Sequence, residues 1–424
     1  MRFLKYSVDK LEIEERHQKN RFNFQDERSR TVEGIVDDVR ENGDQAIYKY
    51  TEKFDGAKLN ELKVSREEIA EAYEKIDNCF LSSLRKSIDN IADYHRKQLR
   101  NNWFTFEKGM VGQLLNPLAR VGAYVPGGTA PYPSSVVMTV VPARVAGVKE
   151  IVVVSPPDKN GKANPYTLVA ANEAGVDEIY KIGGAQAVAA LAFGTETIRP
   201  VDKIVGPGNI YVTLAKKIVY GIVDIDMLAG PSEILILADE TAKPEFIAAD
   251  LLSQAEHDPM AVSTLITTDE ALAEKTITAV NRQLDTLSRK GIAENSIENN
   301  GTIILVDNLE KGIELVNFFA PEHFELLVKE PFRYLSLIKN AGAIFIGDYS
   351  SEPLGDYMAG TNHVLPTGGT ARFASPLNTD DFIKKSSIIY YQKEELVEIK
   401  DDIIRFAELE GLNAHARAIK VRFE

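Results

Sequence analysis

The sequence predicts an α/β protein of two Rossmann-like doubly wound sheet domains, with a short N-terminal arm and a small helical C-terminal appendage. Three observations carry that prediction. Short β-branched apolar runs such as IVVVSPP (Ile151 to Pro157) alternate with helical segments from about Val121. A second alternating block begins near Glu233. Glycine turns join several of the strands to the helices that follow them. A continuous apolar, β-branched run marks a strand covered on both faces, as parallel sheets require.

Size and charge narrow the field. A chain of 424 residues can bury large cores and fill two or more domains. With 44% hydrophobic and 26% charged residues it falls in the ordinary globular range. A net charge of −14 argues against nucleic-acid binding, which needs cations to displace phosphate counterions, and against an anionic membrane surface. A local phosphate site stays open, because helix N-terminal N–H groups bind anions without net positive charge. Cys79 is the single cysteine, which excludes an internal disulfide and a thiolate metal cage. The first residues are charged and lack the apolar core of a signal peptide, and no apolar run approaches a membrane span. A reducing cytoplasm is the expected location.

In chain order, residues 1–20 are short, charged and mixed, and read as an arm. From Asp26 to about Gln98 the periodicity is helical, with a capping box of Ser65 and Glu68 opening one helix. His95 reads as a helix-surface residue, and neither it nor His17 is assigned a function. TLVAANEAGV is a helix ending at Gly175, EIYKIG a strand, and GAQAVAALAFG a helix. VDKIVGPGN (Val201 to Asn209) is a strand and tight turn, followed by the helix YVTLAKKIVYGIV. In the second block EILILADE, STLITTD, GTIILVD and AGAIFIGD are strands, and Pro244 suits the first turn of the helix PEFIAADLLSQAEH. The expected boundaries are 1–20 for the arm, 21–122 with 236–378 for a discontinuous first α/β domain, 123–235 for the second, and 379–424 for the helical tail. In such sheets ligands are expected at the carboxyl ends of the strands.

Four of the six histidines stand in polar contexts beside glycine or proline. GDYMAGTNHVLP (Gly355 to Pro366) carries Asp356 and His363 on what reads as a glycine-rich loop, both acceptable zinc ligands, although the same pair suits a solvent-facing turn. Gln254 and His257, at i and i+3 near a helix end, face the same way; a metal site and a plain polar helix end both fit. Glu322 and His323 offer two proton acceptors of different strength, as stepwise acid–base chemistry requires, or an exposed turn. Glu410 and His415 flank a glycine in ELEGLNAHARA. YVPGG (Tyr124 to Gly128), IGGAQ (Ile182 to Gln186) and GPGN (Gly206 to Asn209) each sit between a strand and a helix, where a nucleotide phosphate could bind.

Across nearly the whole chain these blocks resemble the histidinol dehydrogenase family: VGAYVPGG, GGAQAVAALAFG, VDKIVGPGN, DMLAGPSE, DLLSQAEH, APEHFELL, GDYMAGTNHVLPT and ELEGLNAH, in the family's order. The resemblance implies a zinc-containing, NAD-dependent oxidation of L-histidinol through an aldehyde to L-histidine, the last two steps of histidine biosynthesis. It implies Gln254, His257, Asp356 and His415 as zinc ligands, and Glu322 and His323 as the acid–base pair. It places Ser232, His363 and Glu410 at the substrate, and Tyr124, Gln186 and Asn209 at the dinucleotide. It also implies a homodimer whose C-terminal tails complete each other's sites. Two residues depart from the family pattern: Leu228 stands where proline is usual, and Ala320 where glycine is usual.

Competing readings are a relative that oxidises another small alcohol, such as a sulfonated diol, and a zinc hydrolase that binds no nucleotide. Retention of Ser232, His363 and Glu410 weighs against the first, and the GGAQ and GPGN turns against the second. A non-catalytic nucleotide-binding protein fits least, because the ligand and base set is complete.

Overall fold

The computed structural model describes residues 1–20, 27–127 and 131–424. Asp26, the expected start of the helical region, and Gly128 of the YVPGG turn lie outside the described residues. Two compact units divide the chain. One holds Met1–Gln98 and Leu118–Phe382, the other Leu99–Pro117 and Ile383–Glu424.

The first unit opens with strand β1 (Arg2–Lys5) and helix α1 (Tyr6–Asn20). This corrects the expectation of an arm. Leu4 and Ile13 are buried in one core with Leu235, Ile266 and Phe324. A strand docks through main-chain hydrogen bonds, which charged side chains do not betray, and Arg2 N–H donates to Gly301 O at 2.9 Å. Helices α2 (Glu27–Asp55), α3 (Arg66–Tyr73) and α4 (Asn78–Arg96) follow. The capping box is present, with Ser65 Oγ accepting from Glu68 N–H at 3.2 Å and Glu68 Oε2 from Ser65 N–H at 2.9 Å. Val32, Ile35, Val36 and Val39 line one face of α2 and share a core with Val152, Leu191 and Ile204. Helix α2 therefore packs on the sheet that contains Val152 and Ile204: an amphipathic pattern says that a face is buried, not against which sheet. His95 is fully buried, not on the surface, with Nδ1–H donating to Ile91 O at 2.8 Å. His17 is also buried, against Phe318 and Phe319. Strands β2 (Trp103–Thr105) and β3 (Met110–Pro117) belong to the second unit.

The chain then alternates through β4 (Arg120–Tyr124), α5 (Pro133–Ala146), β5 (Glu150–Val154), α6 (Pro165–Glu173), β6 (Glu178–Tyr180), α7 (Gly184–Phe193), β7 (Lys203–Val205), α8 (Ile210–Val219) and β8 (Asp224–Ile225). The sheet order is β6-β5-β4-β7-β8 and every pairing is parallel. Winding reverses at β4, so Gly127 after β4 and the glycine turns after β6 and β7 gather at the carboxyl edge. Gly206 is needed there: its φ is +109°, and a Cβ would fall 2.2 Å from Tyr124 O. Lys216 and Asp226, a buried ion pair, grip this turn from both sides. Lys216 Nζ donates to Gly206 O at 3.0 Å, and Gly206 N–H donates to Asp226 Oδ2 at 2.7 Å.

A second doubly wound sheet comprises β9 (Glu233–Ala238), α9 (Pro244–Ala255), β10 (Val262–Thr267), α10 (Glu270–Leu284), α11 (Lys290–Asn300), β11 (Thr302–Leu305), α12 (Leu309–Phe319), β12 (His323–Leu327), β13 (Ala343–Ile346) and α13 (Glu352–Tyr357). Its order is β1-β11-β10-β9-β12-β13, again all parallel. Helix α9 runs back against the strands, so its C-terminal turn arrives at the amino edge, where β9 and β12 begin.

In the second unit β14 (Ile383–Tyr390) pairs antiparallel with β3 from Ile383↔Pro117 to Tyr390↔Met110, and β2 flanks β3. Helices α14 (Lys393–Leu409) and α15 (Asn413–Lys420) complete it. The expected all-helical tail thus begins with a strand: IKKSSIIY is half β-branched or aromatic, but its partner lies far away in sequence. Among the described residues no helix is long and apolar enough to cross a membrane.

Asp226→Ala should destabilise the protein by about 3–5 kcal/mol, because it strands a buried ammonium, whereas a surface carboxylate such as Glu408 should cost under about 1 kcal/mol. Urea unfolding of the two variants checks this.

Candidate active site

The site grows out of how the chain enters β12. Helix α12 ends at Ala320, which takes the left-handed conformation at φ +48° and turns Pro321–His323 onto the sheet. Alanine there keeps the geometry that glycine would adopt freely, at a cost of about 1 kcal/mol. Glu322 and His323 are both buried, and both are held by the main chain of Glu233. Glu233 N–H donates to Glu322 Oε2 at 2.9 Å, and His323 Nδ1 lies 3.1 Å from Glu233 O. A carbonyl only accepts, so the proton sits on Nδ1 and Nε2 presents its lone pair. His323 Nε2 has no protein partner among the described residues, and lies 3.9 Å from Asp356 Oδ1. On its other side Asp356 Oδ2 is 3.8 Å from His363 Nδ1.

Asp356 lies on helix α13, not on a loop as expected. Its helix also carries Glu352, and donor atoms of His323, Glu352 and Asp356 all lie within 4.8 Å of one another. Sequence reasoning missed Glu352. The signal was there: Glu352 and Asp356 stand at i and i+4, on one face of a helix. Behind them Glu325, fully buried on β12, accepts from Glu352 N–H at 3.1 Å, and Ser253 Oγ donates to Glu352 Oε2 at 2.7 Å. These bonds tie α13 to α9 and β12.

Burial dominates the titration of the whole group. Loss of hydration raises Glu322 well above the carboxylate range, helped by the charges of Glu233, Asp356 and Glu352. Burial and then Glu352 raise Asp356 likewise. Glu325 is pushed up to about 9 by burial and by Asp250. The same dehydration lowers His323 and His363 to about 4, so both imidazoles are neutral near pH 7.

The set fits a divalent cation. Gln254 lies in the last turn of α9 with its side chain buried and Oε1 lacking a partner among the described residues. His257 follows it, exposed, with its N–H donating to Gln254 O at 3.2 Å. Neutral imidazole, amide oxygen and carboxylate are donors that zinc accepts. A cavity of about 520 Å³ opens beside them, lined by Tyr132, Ser134, His257, Arg289 and Tyr357. Ser232 precedes β9, half-buried, and its carbonyl accepts from Val262 N–H at 3.0 Å. The segment bearing His363 is fixed from outside: Asn362 Nδ2 donates to Met138 O at 2.7 Å and Asn90 Nδ2 to Met358 O at 2.8 Å.

This cluster sits at the amino edge of its sheet, opposite to the carboxyl edge where ligands are expected. The reason is α9, whose last turn is carried back to where β9 and β12 start. Tyr124, Gln186 and Asn209 stand at or just after the carboxyl ends of β4, β6 and β7 in the other sheet. Tyr124 Oη accepts from Gly184 N–H at 3.0 Å, Gln186 is buried, and Asn209 is exposed and caps α8 through Oδ1. Glu410 caps the end of α14 and His415 lies on α15, both exposed on the second unit.

Comparison with known proteins points one way. The profile of the family described as Histidinol dehydrogenase matches residues 18–423. The chain is 58% identical to a histidinol dehydrogenase of Clostridium acetobutylicum over 397 residues, covering 93% of this chain and 92% of that one. It is 54% identical to one of Listeria innocua, covering 97% of both chains. The crystal structure of histidinol dehydrogenase from Elizabethkingia anophelis superposes with a TM-score of 0.90 at 42% identity, covering 94% of this chain and 93% of that one.

Asp356→Asn removes one carboxyl from the buried crowd. Metal-free protein should gain about 1–2 kcal/mol in a thermal melt with chelator, as expected when a carboxyl whose ionisation burial and Glu352 oppose becomes a neutral amide. Zinc retained after dialysis should fall at least about tenfold, measured by metal analysis.

Proposed function

The chain belongs to the histidinol dehydrogenase family, and from that premise we propose a zinc- and NAD-dependent oxidation of L-histidinol, through L-histidinaldehyde, to L-histidine. The observation that supports it most directly is the pairing of a neutral imidazole, its Nε2 free, with an adjacent buried carboxyl at the rim of a cation-ready cluster. Gln254, His257 and Asp356 would hold the metal, joined by His415 from a second copy of the chain. When bound, zinc would fix the substrate's amine and imidazole nitrogens, and NAD, near Tyr124, Gln186 and Asn209, would accept each hydride.

The chain's own residues move the protons. His323 Nε2 takes the hydroxyl proton as the carbinol C–H leaves as hydride, giving the aldehyde. Glu322 then takes a proton from the water that adds to the aldehyde carbon, and the hydrate loses the second hydride. The neutral state of His323 near pH 7 readies it to accept. Glu322, kept beside it by Glu233, must lose its proton before it can act as a base. Ser232 and His363, with Glu410 of the second copy, would orient the substrate. Shared sites require a homodimer in this reading. A cytoplasmic location keeps the exposed thiol of Cys79 reduced. Identities of 54% and 58% to histidinol dehydrogenases weigh against the sulfonated-diol and hydrolase readings.

Glu322→Gln should slow the aldehyde step by about 10²–10⁴-fold and the alcohol step by less than about tenfold. Single-turnover NADH formation from histidinol and from histidinaldehyde separates the two, and equal losses would remove Glu322 from its assigned role.

A further inference from the structure

The geometry points to Glu233 as a positioning residue, whose side chain clamps the strand entrance that orients both Glu322 and His323; this rests on the acid–base roles proposed above. The clamp is reciprocal. Glu322 accepts from the main-chain N–H of Glu233, while the Glu233 carboxylate draws on the main chain of Glu322. Its Oε1 also accepts from Gly368 N–H at 2.9 Å. Gly368 and Gly369 have φ of +62° and +76°, so successive N–H groups converge on the carboxylate as in an anion-binding nest. Gly369 adds a further main-chain donor.

A second stitch joins the same two segments, from Gly230 N–H to Thr367 Oγ1 at 2.5 Å. The 230–233 stretch is thus fastened at two points to the turn that follows His363. Since the Glu233 carbonyl also fixes the tautomer of His323, one side chain governs where the base points and which nitrogen is free. Packing does not explain the residue. Every later position of β9 is apolar, and Glu233 lines a small cavity of about 40 Å³ with Ile13, His17 and Phe319. Dehydration there pushes its carboxyl up to about 7, although the main-chain donors pull it down. An apolar residue would pack there at no such cost.

The test contrasts Glu233→Met, which removes the acceptor at similar length, with Glu233→Gln, which keeps an acceptor oxygen. Glu233→Met should lower kcat for both oxidation steps by about 10- to 100-fold, with KM for histidinol within about threefold and zinc content unchanged. Glu233→Gln should stay within about fivefold of the parent. Imidazole nitrogen NMR should show His323 as the Nδ1–H tautomer in the parent and as a mixture in Glu233→Met. A parental kcat and tautomer in Glu233→Met, equal damage in Glu233→Gln, or loss of zinc along with kcat would each overturn the inference. If Glu233→Met does not fold, Thr367→Val decides in its place: lower kcat at constant KM supports the clamp, and parental kcat overturns it. The tautomer readout needs no substrate. A parent that ignores histidinol would therefore overturn the functional reading, while the NMR still decides the role of Glu233.

Discussion

Three buried carboxyl groups, Glu322, Glu325 and Glu352, and the half-buried Asp356 gather beside His323 and His363 at the amino edge of the six-stranded sheet. Hydration lost on that scale costs several kcal/mol per ionised group, and neighbours of like charge cannot all ionise at once. Protons or a cation must balance them. The surrounding structure serves this requirement: α9 returns to deliver Gln254, α13 is fastened through Glu352 to Ser253 and Glu325, and α4 and α5 reach across to fix the segment bearing His363. Stability is given up locally so that charge can be held where chemistry needs it.

The two sheets present different groups at opposite edges. Glycine turns at the carboxyl edge of the five-stranded sheet offer main-chain N–H groups and close approach, and Lys216 with Asp226 keeps one of those turns rigid. The acidic and imidazole groups gather at the amino edge of the six-stranded sheet, where helix ends and strand starts meet. The glycine turns and the acidic cluster are thus separate structural devices, each built from local geometry that its own sheet dictates.

Much of this was legible in the residues, for identifiable reasons. Strand–helix alternation and β-branched runs revealed both parallel sheets, because burial on two faces leaves an unbroken apolar signature. The capping box at Ser65 and Glu68 was readable since it is entirely local. What depends on distant partners was hidden. β1 adds to its sheet by main-chain bonds that charged neighbours such as Lys5 conceal, and β14 needs β3, hundreds of residues earlier. The face of α2 showed its apolar stripe but not its sheet. His95 sits among charged neighbours, so its burial by tertiary packing left no local trace. Glu352 was passed over because the stretch around Gly355 read as loop, which concealed the helical spacing to Asp356. Around the site the residue types suggested the chemistry, whereas the main-chain clamp at Glu233 is a three-dimensional fact.

The most direct measurement is NADH formed per L-histidinol by purified, zinc-loaded protein, followed before and after chelation. Two NADH per histidinol, abolished by chelator and restored by zinc, would join the cation-ready cluster to both oxidation steps. One NADH per histidinol, or two that persist after the metal has been fully stripped, would contradict the claim that this buried crowd of carboxyls works around a bound zinc ion.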